Sequence, residues 1–121
     1  MKKILITMSI ISYLFGCAQQ PETIKILEKQ AFKKAIESKK VQLVDVRTAT
    51  EYNSGHIKTA KNIDVFKISK FTEEFNKLDK NQPVYVYCRS GKRSNSAAKK
   101  LDKMGFKEIY DLKGGYLNWI K

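Results

Sequence analysis

Cys88 lies in the run Tyr87-Cys88-Arg89-Ser90-Gly91-Lys92-Arg93-Ser94, directly after the apolar stretch Val84-Tyr85-Val86-Tyr87. The segment that follows, Ser94 to Met104, has helical character. A thiol between a buried strand and a helix faces backbone N–H groups and the positive end of the helix dipole. Both favour a thiolate and bound anions. Arg89, Lys92 and Arg93 add fixed positive charge to the same turn. Gly91 permits a backbone angle that a side chain would penalise. These residue types point to an activated sulfur nucleophile, Cys88, with Arg89, Ser90, Gly91, Lys92, Arg93 and Ser94 as the turn that holds small anions.

The other cysteine, Cys17, ends a segment of a different kind. Met1-Lys2-Lys3 is a short basic start, and Ile4 to Phe15 is apolar with polar interruptions at Thr7, Ser9 and Ser12. The run is short for a membrane span, which takes about 20 residues, and fits the apolar part of a secretory signal. Leu14-Phe15-Gly16-Cys17 resembles a bacterial lipoprotein signal, in which a small residue precedes a cysteine that is acylated before cleavage. Phe15 departs from the small or branched residue usual at its position. Residues 1–16 are therefore expected to be a cleaved leader, Cys17 the lipidation site, 17–22 a tether and 23–121 one domain. The protein is expected to be exported and lipid-anchored in the cell envelope. The absence of an acidic residue in Ala18-Gln19 favours the periplasmic side of an outer membrane where the cell has one. With Cys17 consumed, Cys88 is the sole free thiol and no internal disulfide forms.

The chain carries a net charge of +12. Removing Lys2 and Lys3 with the leader lowers it to +10. The excess is lysine scattered as Lys33-Lys34, Lys39-Lys40 and Lys99-Lys100, which reads as solvated helix faces. No nucleic-acid-binding motif accompanies it, so nucleic acid is not expected as a partner. Oligomeric state has no signature in these residues.

The elements that must position Cys88 follow from periodicity. Strands are predicted at Thr23 to Leu27, Val41 to Val46, Asn62 to Val65, Val84 to Tyr87 and Ile109 to Leu112. Helical spacing is predicted at Ala31 to Ile36 and at Phe71 to Leu78, where Phe71, Phe75 and Leu78 recur at i, i+4 and i+7. Glu51 to Asn53 reads as a short helical turn. Ser94 is the predicted N-cap and Gly105 the predicted stop of the helix after the cysteine turn. Gly114-Gly115 turns into a last short helix bearing Leu117, Trp119 and Ile120. Short apolar strands alternating with helices predict an α/β fold with a mostly parallel sheet covered on both faces.

Three stretches together carry a family resemblance. Leu43-Val44-Asp45-Val46-Arg47, with Glu51-Tyr52, Gly55-His56-Ile57, Ala60 and Asn62-Ile63, resembles the first signature of rhodanese-like domains. The Val84 to Ser94 segment resembles their active-site strand, loop and helix start. Gly105-Phe106, Tyr110-Asp111-Leu112, Gly114-Gly115 and Trp119 resemble their closing segment. The resemblance covers residues 23 to 121. It implies a central five-stranded sheet with helices on both sides, and sulfane-sulfur transfer through a cysteine persulfide. It also implies a loop that wraps the sulfur with inward N–H groups, and no metal or organic cofactor. The expected partners are a small anionic sulfur donor, thiosulfate or polysulfide before 3-mercaptopyruvate, and a thiol or cyanide acceptor.

The resemblance assigns Asp45 and Arg47 structural roles, pairing with each other or with backbone near the loop. His56, the sole histidine, is expected to be a turn determinant beside the sheet rather than a base for Cys88. Phe106, Tyr116 and Trp119 are expected in the core. Two other readings stay open. A phosphatase or arsenate reductase loop usually has His before the cysteine and Arg six positions after it; here Tyr87 and Ser94 occupy those places. The six-residue loop from Cys88 to Arg93 suits sulfur rather than phosphate. A non-catalytic, sulfur-carrier or redox-sensing module of the same fold is the alternative from another class.

Overall fold

The computed structural model describes residues 20–121; the expected leader, Cys17 and the first half of the tether lie outside them. The elements run β1 (Ile24–Leu27), α1 (Lys29–Ser38), β2 (Gln42–Asp45), α2 (Ala49–Asn53), β3 (Lys61–Asn62), α3 (Ile68–Phe75), β4 (Val84–Tyr87), α4 (Lys92–Lys103), β5 (Ile109–Leu112) and α5 (Gly115–Trp119). The five strands form one sheet in the order β1-β5-β4-β2-β3, and every pairing is parallel. β4, which delivers Cys88, is thus central, between β2 and β5.

A parallel sheet needs cover on both faces, and the alternation along each strand supplies it. Val44, Val46, Val84, Val86, Cys88 and Ile109 belong to one buried cluster with Phe71 and Phe75 of α3 and Ala97, Ala98 and Leu101 of α4. Leu43, Tyr85, Tyr87 and Leu112 belong to a second cluster with Phe32 of α1 and Trp119 of α5. Phe32 meets Tyr85 and Trp119 edge-on, with ring centroids 5.5 and 6.3 Å apart. Phe106 is buried in the first cluster, while Tyr116 and Trp119 pack half-buried against the second.

Several element ends lie one to three residues from the sequence reading, and two of these shifts bear on the site. The third strand is Lys61–Asn62 rather than Asn62 to Val65. The chain beyond it stays tied to β2 by the Ile63 N–H on Asp45 O and the Val65 N–H on Val46 O, at 3.0 and 3.1 Å. Helix α4 begins at Lys92, so Gly91, at φ 110°, is the N-cap and Ser94 is inside the first turn. Gly91 takes the left-handed turn that lets the helix start earlier. Ser94 is freed to turn its hydroxyl inward.

Candidate active site

Cys88 sits one residue past β4, at the C-terminal edge of the central strand and before the N-terminus of α4. Its side chain is completely buried. Sγ accepts the Gly91 N–H at 3.0 Å and lies 3.4 Å from Ser94 Oγ. Ser94 Oγ is also 3.2 Å from Gly91 O. Among the described residues, the Gly91 amide is the backbone donor that reaches the sulfur. The thiol therefore has apolar neighbours beneath it and a polar, helix-terminal rim above it. Such an amide and helix end stabilise an anion on sulfur.

The three expected cations occupy different positions. Arg89 and Lys92 are exposed at the rim, as is Ser90. Arg93 is partly buried and bound to Glu51 through two contacts, NH1 to Oε1 at 2.7 Å and NH2 to Oε2 at 2.8 Å. Glu51 is itself organised by Thr48 in a capping box at the start of α2, a reciprocal arrangement that satisfies two otherwise free amides. The Arg93 pair holds the Glu51 carboxyl down at about 2, with the Thr48 contacts adding to it. Arg93 in turn rises from its ordinary value, first through Glu51 and also through the nearby Cys88. Arg93 is thus a strut between α2 and α4 whose charge still acts on the sulfur. Beside it runs a groove of about 370 Å³ lined by Val65, Phe66, Lys92, Arg93, Ser96 and Lys100, with Phe66 66% exposed.

The back of the loop is pinned by the last turn. The Tyr116 N–H donates to Cys88 O at 2.8 Å and the Leu117 N–H to Arg89 O at 3.0 Å. Gly115, at φ 62°, makes this approach possible. A Cβ there would stand 2.5 Å from Arg89 O and 2.6 Å from Cys88 O. Sequence reading assigns Gly114-Gly115 to a turn and misses its role as the seat of the cysteine loop. The capping-box spacing of Thr48 and Glu51 was available as a signal for α2, but its reach across 42 positions to Arg93 was not.

Asp45 and Arg47 form a buried pair, with Arg47 NH2 2.6 Å from Asp45 Oδ2. Arg47 Nε and backbone N reach Asp45 Oδ1, both at 2.9 Å, and NH2 also donates to Gly55 O at 2.7 Å. The guanidinium lies 4.4 Å from the Tyr116 ring centroid, a favourable cation–π placement. Asn62 Nδ2 ties the backbone carbonyls of Asp45 and Arg47 together at 3.0 and 2.9 Å. His56 is exposed, stacks on Tyr52 with centroids 3.7 Å apart, and places Nδ1 2.9 Å from Tyr52 O. Its ring stacks on and hydrogen-bonds to Tyr52, not Cys88.

The model of the rhodanese-like domain matches residues 28–121. The chain belongs to the rhodanese-like family. It is 37% identical over 84 residues to the thiosulfate sulfurtransferase GlpE of Coxiella burnetii, covering 69% of this chain and 76% of that protein. It is 38% identical over 95 residues to the tRNA uridine(34) hydroxylase of Pelagibacter ubique, covering 78% of this chain but spanning only 32% of that larger protein. The rhodanese-like domain protein of Staphylococcus aureus superposes with a TM-score of 0.69 at 34% identity, over 78% of this chain and 90% of its own. The family thus includes relatives of unlike named activities on one scaffold, so the chemistry of this chain is argued from its own site.

Proposed function

We propose that this rhodanese-like domain is a sulfurtransferase that carries sulfane sulfur as a persulfide on Cys88. The observation that carries the reading is the Gly91 N–H on Cys88 Sγ at 3.0 Å, at the N-terminus of a twelve-residue helix. That geometry stabilises negative charge on the thiolate and, one atom further out, on the persulfide. In the first half-reaction the Cys88 thiolate attacks the outer sulfur of thiosulfate. The Sγ–S bond forms, the donor S–S bond breaks, and its electron pair leaves on sulfite. In the second, an acceptor thiolate takes the outer sulfur and the electron pair of the breaking bond returns to Sγ. The exposed Arg89 and Lys92 at the rim draw in the anionic donor and ease sulfite departure. Sγ has no exposed surface in the resting loop, so the reading includes a local displacement of Ser90-Gly91 when sulfur arrives.

The test is mass spectrometry of the reduced protein after thiosulfate or polysulfide treatment, followed by thiosulfate:cyanide turnover. The expected results are one added sulfur on Cys88, turnover in the wild type and neither in Cys88→Ser. An unmodified Cys88 with undiminished turnover in Cys88→Ser would falsify the reading. Export and lipidation at Cys17 are part of the same proposal and are supported by the sequence of residues 1–17. Fatty-acid labelling that persists in Cys17→Ala removes them.

A further inference from the structure

Asp111 is a buried carboxyl that neither the persulfide chemistry nor the ion pairs use. It is only 2% exposed, and its Oδ1 has no hydrogen-bond partner among the described residues. An orphaned oxygen of this kind in a sheet centre is costly unless it serves something. Its place in the register explains where it points. Asp111 pairs with Val86 across β4 and β5. Val86 belongs to the same cluster as Cys88, two residues on, and as Ala97 and Ala98 of α4. The carboxyl therefore faces α4, on which Ser94 is buried, its hydroxyl 3.2 Å from Gly91 O and its side chain near enough to pull the Asp111 carboxyl down. Ser94 in turn lies 3.4 Å from Cys88 Sγ.

We propose that Asp111 is a positioning residue that shares one proton with Cys88 through Ser94. The proposal rests on the reading of Cys88 as the sulfur nucleophile. The three groups have two complementary arrangements. In the resting one, Cys88 S–H donates to Ser94 Oγ, and the Ser94 hydroxyl, which donates to Gly91 O in the structure, rotates to the Asp111 carboxylate. In the reactive one, the S–H bond has broken and its proton has gone to Ser94 Oγ. The Ser94 hydroxyl proton has gone to Asp111, whose new O–H donates back to Ser94 while Ser94 donates to the thiolate. Two protons move one place each, the net charge stays at minus one, and no oxidant or reductant is needed. Gly91 O competes for the Ser94 hydroxyl in the resting arrangement.

The surroundings suit proton sharing. Burial pushes the Asp111 carboxyl up to about 6, with Ser94 pulling slightly the other way. A carboxyl in that range can hold a proton near neutral pH and also give it up. The groups around it are few. From β4 and its loop comes Cys88, and from β1 the register neighbour is Ile26. On α4, Asp102 is engaged by Thr23 Oγ1, and Arg93 is engaged by Glu51. Arg89 and Lys92 point to solvent. No cation pairs with Asp111 among the described residues.

The test is the pH profile of Cys88 alkylation by iodoacetamide in the reduced protein without sulfur donor, so that it does not depend on transfer activity. Wild type should show two steps, the lower near pH 6. Asp111→Asn, which keeps the shape but cannot take the proton, should show a single step and react about tenfold more slowly than wild type at the lower plateau. Ser94→Ala should lose the same lower step although its carboxyl is intact, and the double variant should match the singles. A lower step that survives in both variants, or a wild-type profile with one step only, overturns the proposal. Persulfide formation by mass spectrometry on the same samples reports separately on Cys88 as the nucleophile.

Discussion

The ends of two neighbouring central strands handle buried polar groups in opposite ways. At the end of β2, Asp45 and Arg47 satisfy each other so fully that both carboxylate oxygens are used and the guanidinium also holds Gly55 O. At the end of β4 and on β5, the buried groups are a thiol with one amide, a serine that donates to Gly91 O and faces the thiol, and a carboxyl with an orphaned oxygen. Both regions are sealed from water, so the difference is not exposure. A saturated network has one arrangement and serves as a scaffold. An unsaturated one has several arrangements of similar energy, which a reaction can use.

Four measurements can break or sharpen that contrast. The largest effect is expected for Arg47→Ala. It leaves the Asp45 carboxylate buried and unpaired, a loss of about 3–5 kcal/mol that should lower the melting temperature by more than about 10 °C. Cys88→Ser, by contrast, should melt close to wild type. If the two variants lose equal stability, the division into scaffold and reactive pocket fails.

Asp111→Asn should stabilise the protein at neutral pH. The folded carboxyl rises from its ordinary 3.8 to about 6. The folded state therefore binds that proton more tightly than the unfolded chain. Its advantage is full below about pH 4 and lost as pH rises through 6. At pH 7.5 the ionised carboxyl costs about 3 kcal/mol, which the amide removes. Denaturation curves at pH 7.5 and pH 4 should show a gain at the first and little or none at the second. A loss at pH 7.5 would mean that the carboxylate has a cationic partner after all.

Gly115→Ala should damage the site and cost stability as well. Its Cβ collides with the carbonyls of Cys88 and Arg89, so the loop must shift and carry the Gly91 amide away from sulfur. Misplacing a donor of this kind costs on the order of 100-fold in rate. Thiosulfate:cyanide kinetics measured beside the melting temperature test this, and an unchanged rate would uncouple the seat from the loop.

The smallest effect belongs to Glu51→Gln. The Glu51 carboxyl is held at about 2 by Arg93, so its contribution is present above about pH 4.5 and disappears as pH falls towards 2. The pair is partly solvated, with side chains 22% and 28% exposed, and is worth at most about 1 kcal/mol. Neutral-pH melting should drop slightly, and the drop should vanish near pH 2.

Much of this molecule was legible before any coordinates. The five strands, the three longer helices and the turn at Cys88 follow from period-two and helical spacing bounded by Gly and Pro. Local periodicity is a property of neighbours in the chain, which is why it can be read there. The start of α4 was misplaced because Ser94 has the chemistry of an N-cap, while the left-handed Gly91 turn moved the helix origin back to Lys92. The depth of Cys88 was also hidden. No feature of the cationic turn signals it, yet the sulfur is completely buried beneath the rim that Arg89 and Lys92 form.

The sequence by itself determined that a thiol follows a buried strand and precedes a glycine-turned, cationic helix start. That is a matter of residues within eight positions of one another, from Tyr87 to Ser94. Only the tertiary structure decided which charges are paired, which amide faces the sulfur and which carboxyl is buried on the same face of the sheet. Glu51 pairs with Arg93 from another helix, Gly115 admits the loop from the far end of the chain, and parallel register sets Asp111 beside Val86, two residues before Cys88. Each is a long-range juxtaposition created by packing the sheet, and no local pattern in the chain encodes it.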